Sequence, residues 1–168
     1  MADLTKEQHI ENINKVIEGV KYAMMTTITA DEKHLHACPM TTNKNELENG
    51  KIWFIGDRKS ETIKDLEKNP QVNLSYTSSD QKNFVSINGT AKLVNDKAKL
   101  DELWSPIYAA FYEKGKEDPN VQVICIECNG AQYWLSGNTV VDMFKMVSAA
   151  VQEGKTAENL GENHSVTF

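Results

Sequence analysis

The sequence is poor in arginine and has no sustained run of basic residues. Arg58 is its single arginine, and 24 acidic residues outnumber 18 basic ones, which gives a net charge of −6. Nucleic acids and anionic membrane surfaces are bound by clustered Lys and Arg side chains. The composition therefore excludes both as the main partner.

Long apolar runs and a disulfide framework are also missing. No segment approaches the roughly 20 apolar residues of a transmembrane helix. The polar first residues, MADLTKEQHIENINKV, contain no secretory signal core. Three cysteines, an odd number, are typical of a reducing compartment. We therefore predict a cytoplasmic protein without a membrane-spanning segment.

The remaining composition is that of an ordinary globular protein. Of its 168 residues, 40% are hydrophobic and 25% are charged. A chain of this length buries a substantial core and is typical of one domain. We predict a single domain over residues 1–168.

The first third of the chain changes from a helical to a β period. Thr5 and Gln8 form a capping-box pair, isoleucines recur at helical spacing, and Gly19 ends the pattern, which predicts a helix over 5–19. Residues 22–29 are rich in β-branched side chains, and segments 34–42 and 51–55 follow polar turns. They predict a meander of three strands.

Further strands and helices follow in an order that indicates the fold class. Ser60 is a good N-cap for a second helix. Apolar and polar residues alternate over 72–76 and 85–93, which predicts two strands, the second with a bulge at Gly89. Another helix begins near Lys97. Asn129-Gly130 predicts a hairpin between two later strands. The final predicted segments are a helix at 139–153 and a short strand at 163–168. Antiparallel succession without βαβ alternation indicates an α+β, mainly β fold built as a small barrel.

The segment from Gly56 to Thr62 leaves an apolar strand and opens a helix. Free N–H groups at a helix start, a capping hydroxyl and adjacent cations suit a phosphate group. The alternative is a solvated turn with a structural Ser cap. From the residues alone both interpretations stay open.

Other chemistry-bearing residues give weaker signals. Cys125 and Cys128 are three apart in a strand and point to opposite faces, which favours buried structural thiols over a shared metal. His34 and His36 share a strand face, but no companion ligand follows at metal-binding spacing, so no metal site is predicted. One of the tryptophans could stack against a flat ring ligand in a binding site; the candidates are Trp53, Trp104 and Trp134.

An ordered set of motifs carries a resemblance to a known family. The matching segments run in one order from about residue 8 to 155: 23–27, 36–40, 52–55, 69–76, 85–91, 102–106, 114–119 and 133–134. By this set the chain resembles the general stress protein 26 group of the FMN-binding, pyridoxamine 5'-phosphate oxidase-like proteins.

The resemblance implies a Greek-key split β-barrel with flanking helices, which forms a homodimer and binds FMN at the interface. It places the isoalloxazine ring against the strand residues Cys38, Pro39, Met40, Phe54, Ile55 and Gly56. It places the phosphate in the segment that contains Asp57, Lys59, Ser60 and Thr62. Trp104 and the loop with Lys116 would be supplied by the partner subunit.

Two positions depart from the family pattern. The family usually has Arg immediately before the Pro-Met pair, where this chain has Cys38, and Lys two residues after the serine, where it has Thr62. A charge-assisted hydrogen bond contributes about 1.5–3 kcal/mol, so the loss of two weakens FMN binding by orders of magnitude. Arg58, Lys59 and Lys64 are the nearby cations that would have to compensate.

Two main functional hypotheses follow, and a third, a stress-linked scaffold without a ligand, stays open. The first is a stress-related FMN-binding protein that works as a flavin-dependent oxidoreductase, in which the flavin carries the electrons and no catalytic side chain can be named. The second is a split-barrel binding module that has lost FMN or takes another flavin or a haem-type ligand. Authentic pyridoxamine 5'-phosphate oxidase activity is not expected, because the arginine cluster for a substrate phosphate is missing.

Overall fold

The computed structural model describes residues 4–42, 46–137 and 162–168. The helices of this part are α1 (Lys6–Ile17), α2 (Glu61–Lys68) and α3 (Lys97–Leu103), followed by 3₁₀ turns at Pro106–Ala110 and Gly115–Glu117. The strands are β1 (Tyr22–Ile28), β2 (Leu35–Thr41), β3 (Lys51–Asp57), β4 (Gln71–Thr77), β5 (Phe84–Val94), β6 (Val121–Leu135) and β7 (Glu162–Thr167). The helix predicted at 139–153 lies outside the described residues.

The helix starts follow their local capping signals. Thr5 and Gln8 form the predicted capping box at α1, and Ile13 and Ile17 of its apolar stripe are buried. At α2 the Ser60 hydroxyl accepts a hydrogen bond from the Ile63 amide. These caps satisfy amides that have no partner within the helix.

The strands form one antiparallel sheet in the order β2-β1-β4-β5-β6-β3, with β7 added beside the second half of β6. β1 and β2 form the predicted hairpin, with Met25 opposite Cys38. The predicted three-stranded meander is wrong, because β3 pairs with β6 instead of β2. β3 has buried residues on both of its faces. Such a strand is favoured beside an apolar partner strand, and β6 is that strand.

The hairpin predicted at Asn129-Gly130 is also wrong. β6 runs through both residues as one strand, and Asn129 is the extra residue of a bulge: Gly130 pairs with Asn88, whereas Cys128 pairs with Gly89. The two glycines let the backbones approach closely. A Cβ on Gly89 would lie 2.7 Å from the Glu127 carbonyl oxygen, and one on Gly130 would lie 2.9 Å from that of Val166.

The sheet curves so that its two ends, β2 and β3, come together. The Met40 Cε atom lies 3.7 Å from the position that a Cβ would take on Gly56. The main core fills the inside of this curved sheet, and α1 and α2 contribute Ile13, Ile17, Ile63 and Leu66 to it. The predicted α+β, mainly β split barrel with flanking helices is confirmed. Within the described residues, no helix has the length and apolar character needed to cross a membrane.

Candidate functional site

A cavity of about 500 Å³ lies along the seam where β2 meets β3. Its size falls within the range of small-molecule and cofactor sites. Strands β2, β3 and β6, the start of α2 and the first 3₁₀ turn supply its lining: His36, Cys38, Pro39, Met40, Thr41, Ile55, Gly56, Asp57, Ser60, Glu61, Thr62, Ile63, Tyr108, Phe111, Tyr112 and Ile124.

The floor of the cavity is apolar and closely packed. Gly56 has no side chain to fill it, and a Cβ there would lie 3.0 Å from Ile124 Cδ1 and 3.6 Å from Ile63 Cδ1. Met40 covers the same spot from β2 and is buried. These side chains fill the space beside Gly56, so a larger residue at this position would displace them.

Aromatic residues form the opposite wall. Tyr108 and Tyr112 are buried, whereas 72% of the Phe111 side chain is exposed at the mouth of the cavity. Burial raises the pKa of Tyr108 to about 12. Burial, and after it the negative charge of Asp57, raise the pKa of Tyr112 to about 12. Both phenols therefore stay protonated at neutral pH and are neutral hydrogen-bond donors.

Trp104 supports this wall from behind. Its ring lies 5.6 Å from that of Tyr108 and 6.1 Å from that of Tyr112, centroid to centroid. Tyr108 also approaches β2, with its hydroxyl 3.5 Å from the Thr41 carbonyl oxygen. The 3₁₀ turn is thereby held against the seam, which fixes the width of the cavity.

The start of α2 closes the polar end. Cys38 Sγ and Thr62 Oγ1 lie 3.0 Å apart and share a hydrogen bond across the gap between β2 and the helix. Asp57 accepts a hydrogen bond from the Lys59 amide, 2.8 Å from its Oδ1 atom. The polar end thus carries a hydroxyl, a thiol and a carboxylate in place of a cation.

His36 enters the cavity from β2 and is held by a buried carboxylate. Its Nδ1 atom lies 3.0 Å from Asp65 Oδ2. The same carboxylate accepts hydrogen bonds from the Thr27 hydroxyl at 2.8 Å and from the Ala30 amide at 2.9 Å. These contacts fix one ring nitrogen of His36 and leave the other end of the ring for the cavity.

The predicted site residues divide into two groups. Eight of them line this one cavity: Cys38, Pro39, Met40, Ile55, Gly56, Asp57, Ser60 and Thr62. Four lie elsewhere in the subunit. Phe54 is buried in the main core, Trp104 stands behind the aromatic wall, and Lys59 projects into solvent. Lys116 Nζ is 2.6 Å from Asp101 Oδ1.

Sequence analysis missed two parts of the site. Phe111 and its tyrosine neighbours fall in a mixed segment without a clear period, so nothing marked them as cavity residues. Asp65 did carry a signal, because it is an acidic residue on the inward face of α2, between Ile63 and Leu66. A carboxylate on an apolar helix face needs a partner, and here that partner is His36.

The remaining candidate groups are placed away from the cavity. Cys125 and Cys128 are buried, and burial raises the pKa of both thiols, that of Cys128 to about 12. His34 is exposed beside the β1–β2 turn. In the described ranges no three His, Cys, Asp or Glu side chains form a cluster suited to a metal ion.

Comparison with known proteins places these features in a family. The family model described as "Pyridoxamine 5'-phosphate oxidase like" matches residues 8–157. Protein bli-3 of Neurospora crassa is 26% identical over 164 residues, which cover 93% of this chain and 78% of that protein.

Solved structures give the same result. The general stress FMN/FAD binding protein of Xanthomonas citri is 31% identical, with a TM-score of 0.66, over 80% of this chain and 92% of that one. General Stress Protein 26 of Bacillus anthracis has the same fold, with a TM-score of 0.65 and 23% identity over 74% of this chain and 92% of that one.

Proposed function

We propose that this chain, which belongs to the pyridoxamine 5'-phosphate oxidase-like family, is a flavin-binding protein and holds the flavin ring in the cavity between β2 and β3. The observation that carries the proposal is the cavity itself. The resemblance assigns the ring to segments 38–40 and 54–56, and all of these residues except Phe54 line one cavity of about 500 Å³. The Xanthomonas citri relative, named as an FMN/FAD binding protein, adds support.

The residues of the cavity fit the ring portion of a flavin. Met40, Ile63 and Ile124 give the cavity an apolar floor, and Phe111 and Tyr112 offer aromatic surface. The protonated Tyr112 hydroxyl is a donor for a ring carbonyl oxygen, whereas the Tyr108 hydroxyl donates to the Thr41 carbonyl oxygen. The phosphate of FMN is a separate question, because the polar end has no lysine or arginine among its lining residues.

The activity that fits this arrangement is electron transfer as a flavin-dependent oxidoreductase. A bound flavin would supply the redox chemistry, and the chain would position the ring, shield one face and donate hydrogen bonds to it. His36, whose Nδ1 atom is held by Asp65, is a cavity side chain that can exchange hydrogen bonds with a ligand. Oxidation of pyridoxamine 5'-phosphate itself is not proposed, since Arg58 is the single arginine.

We also propose that the chain works as a homodimer in the cytoplasm. The outer face of the sheet exposes Met24, Phe84 and Trp134, and Phe84 is paired with Trp134 across β5 and β6. Exposed apolar side chains grouped on a sheet face are typical of subunit interfaces. Three free thiols suit a reducing compartment. Light scattering coupled to size exclusion tests the dimer, and a monomer at micromolar concentration contradicts it.

The flavin proposal is tested by spectroscopy of the purified protein and by one matched pair of variants. We expect a flavin absorbance spectrum, or quenching of added flavin fluorescence. Phe111→Ala removes an exposed cavity wall and is expected to weaken binding about tenfold. Ile107→Ala, an exposed residue of the same 3₁₀ turn that does not line the cavity, is the control.

Two results contradict the proposal. One is the absence of binding of any flavin at high micromolar concentration. The other is a Soret band in the protein as purified, which would favour the second hypothesis, a haem-type ligand in the same cavity. An equal effect of Phe111→Ala and Ile107→Ala would move the binding site away from this cavity.

A further inference from the structure

The charges around the cavity are those of an acidic site. Among the lining residues described, Asp57 and Glu61 are acidic and none is lysine or arginine. The charge of Glu61 is balanced by Lys64 Nζ at 2.6 Å, so Asp57 is the lining carboxylate for which the described residues provide no cationic partner. A bound phosphate monoester carries a charge of about −1.5 to −2 at neutral pH. It would therefore meet repulsion at this end of the cavity.

Three backbone amides of the turn before α2 already have acceptors. The Arg58 amide donates to the Asn120 carbonyl oxygen at 2.8 Å, and the Ser60 amide donates to that of Asp57 at 2.9 Å. The Lys59 amide donates to Asp57 Oδ1. An anion site of the helix-start kind depends on such amides being free. In this turn the carboxylate of Asp57 takes the place of the anion.

Two of the three cations near the cavity have other partners, and the side chain of the third, Lys59, is exposed. Lys64 Nζ lies 2.6 Å from Glu61 Oε1, and Arg58 Nη2 donates to Asn95 Oδ1 at 3.4 Å. Cys38 and Thr62, which face each other across the polar end, bind one another.

The same groups are well suited to hydroxyls. The carboxylates of Asp57 and Glu61 accept hydrogen bonds, and the side chains of Ser60, Thr62 and Cys38 both donate and accept them. A sugar-alcohol chain presents several O–H donors and no charge, whereas a phosphate at neutral pH presents mainly acceptors. The polar end is therefore complementary to a polyhydroxylated, uncharged group.

We infer that the cavity selects an uncharged flavin of the riboflavin class over its 5'-phosphate. This inference rests on the proposed function, and it specifies the ligand of that same site. The carboxylates at the start of α2 act as the selecting groups: Asp57 repels the phosphate, Glu61 holds Lys64 in an ion pair, and both accept hydrogen bonds from the ribityl hydroxyls.

The test is a pair of fluorescence-quenching titrations, with riboflavin and with FMN, on the full chain in low-salt buffer. We expect riboflavin to bind about fivefold or more tightly than FMN. Added salt should raise the FMN affinity and leave the riboflavin affinity nearly unchanged, since screening weakens only the charge repulsion.

A matched pair on α2 assigns the effect to the carboxylate. Glu61→Gln removes a lining charge. It is expected to strengthen FMN binding and so to lower the ratio of riboflavin affinity to FMN affinity about threefold. Glu67→Gln makes the same change of charge on the same helix, away from the cavity, and should leave the preference unchanged.

The outcomes separate this inference from the proposed function. FMN binding as tight as riboflavin binding, or tighter, overturns the inference while the flavin site stands. Equal effects of Glu61→Gln and Glu67→Gln overturn the role of Glu61. Binding of neither flavin overturns the proposed function and this inference with it.

Discussion

Cys38 and Thr62 lie on different elements, β2 and α2, yet their side chains share a hydrogen bond of 3.0 Å at the polar end of the cavity. They are also the two positions at which the chain departs from the pattern of the family it resembles. Two neutral residues in contact therefore stand where the resemblance implies two cations.

The pair predicts how FMN binding can be restored. Cys38→Arg combined with Thr62→Lys is expected to strengthen FMN binding by at least about a hundredfold, because two charge-assisted hydrogen bonds contribute about 1.5–3 kcal/mol each. Riboflavin affinity is the control and should change little. Thermal melting confirms that the double variant folds. A folded double variant with unchanged FMN affinity would contradict the placement of the phosphate at this end.

Thiol labelling provides an independent test of where the ligand lies. Cys38 is half-buried in the cavity wall, whereas Cys125 and Cys128 are buried in β6. Thiolates react and thiols do not, and burial raises the pKa of both β6 thiols. We expect one fast-reacting cysteine in the native protein, identified as Cys38 by peptide mapping. Bound flavin should slow its labelling, and labelling at the same rate with saturating flavin would argue for another site.

Two buried tyrosines predict opposite effects of the same substitution. The Tyr133 hydroxyl is hydrogen-bonded to His9 Nδ1 at 2.8 Å and accepts from Asn12 Nδ2 at 3.4 Å. Within the described part of the chain, the buried Tyr76 hydroxyl has no hydrogen-bond partner. Tyr133→Phe should therefore lower the free energy of unfolding by about 1 kcal/mol, whereas Tyr76→Phe should leave it unchanged or raise it by up to about 1 kcal/mol.

Urea unfolding of the three proteins measures both effects. The two variants are controls for each other, since each removes one hydroxyl from the same core. Equal destabilisation by both substitutions would mean that Tyr76 also has a hydrogen-bond partner in solution.

The parts of the fold that were predicted correctly depend on local signals. Thr5 with Gln8, and Ser60 before an apolar stripe, specify helix starts within three or four residues, and both were confirmed. Strand partners are set by contacts that are distant in sequence. The pairing of β3 with β6 joins residues such as Trp53 and Cys125, and nothing near either one encodes the other.

The bulge illustrates the same limit. Asn129-Gly130 has the composition of a hairpin turn, but here the two residues accommodate close backbone approach within a continuous strand. In the site, the strand segments at 38–40 and 54–56 came from the resemblance. Phe111, Tyr112 and the link from Asp65 to His36 came only from the folded chain, because they join elements separated by tens of residues.

Alkaline pH should destabilise the protein, and Cys128 predicts where this begins. Burial raises the pKa of its thiol from 9.0 to about 12. Below pH 9 the thiol is protonated in both the folded and the unfolded chain, so its contribution to stability is fully present. As the pH rises from 9 to about 12, the unfolded chain loses the proton while the folded chain retains it, and stability falls by up to about 1.4 kcal/mol per pH unit. The buried Tyr108 and Tyr112 add to the loss above pH 10.

Cys128→Ala isolates this contribution in urea unfolding measured from pH 7 to 10.5. The variant should be less stable than the parent at pH 7, because a buried side chain is reduced, yet its stability should fall less steeply above pH 9. Val85→Ala, at another buried position of the same core, loses packing without removing a titratable group and should keep the parent slope. If the stability of Cys128→Ala and that of Val85→Ala fall equally steeply with pH, the alkaline loss of stability originates in other groups, because only Cys128→Ala removes a titratable group.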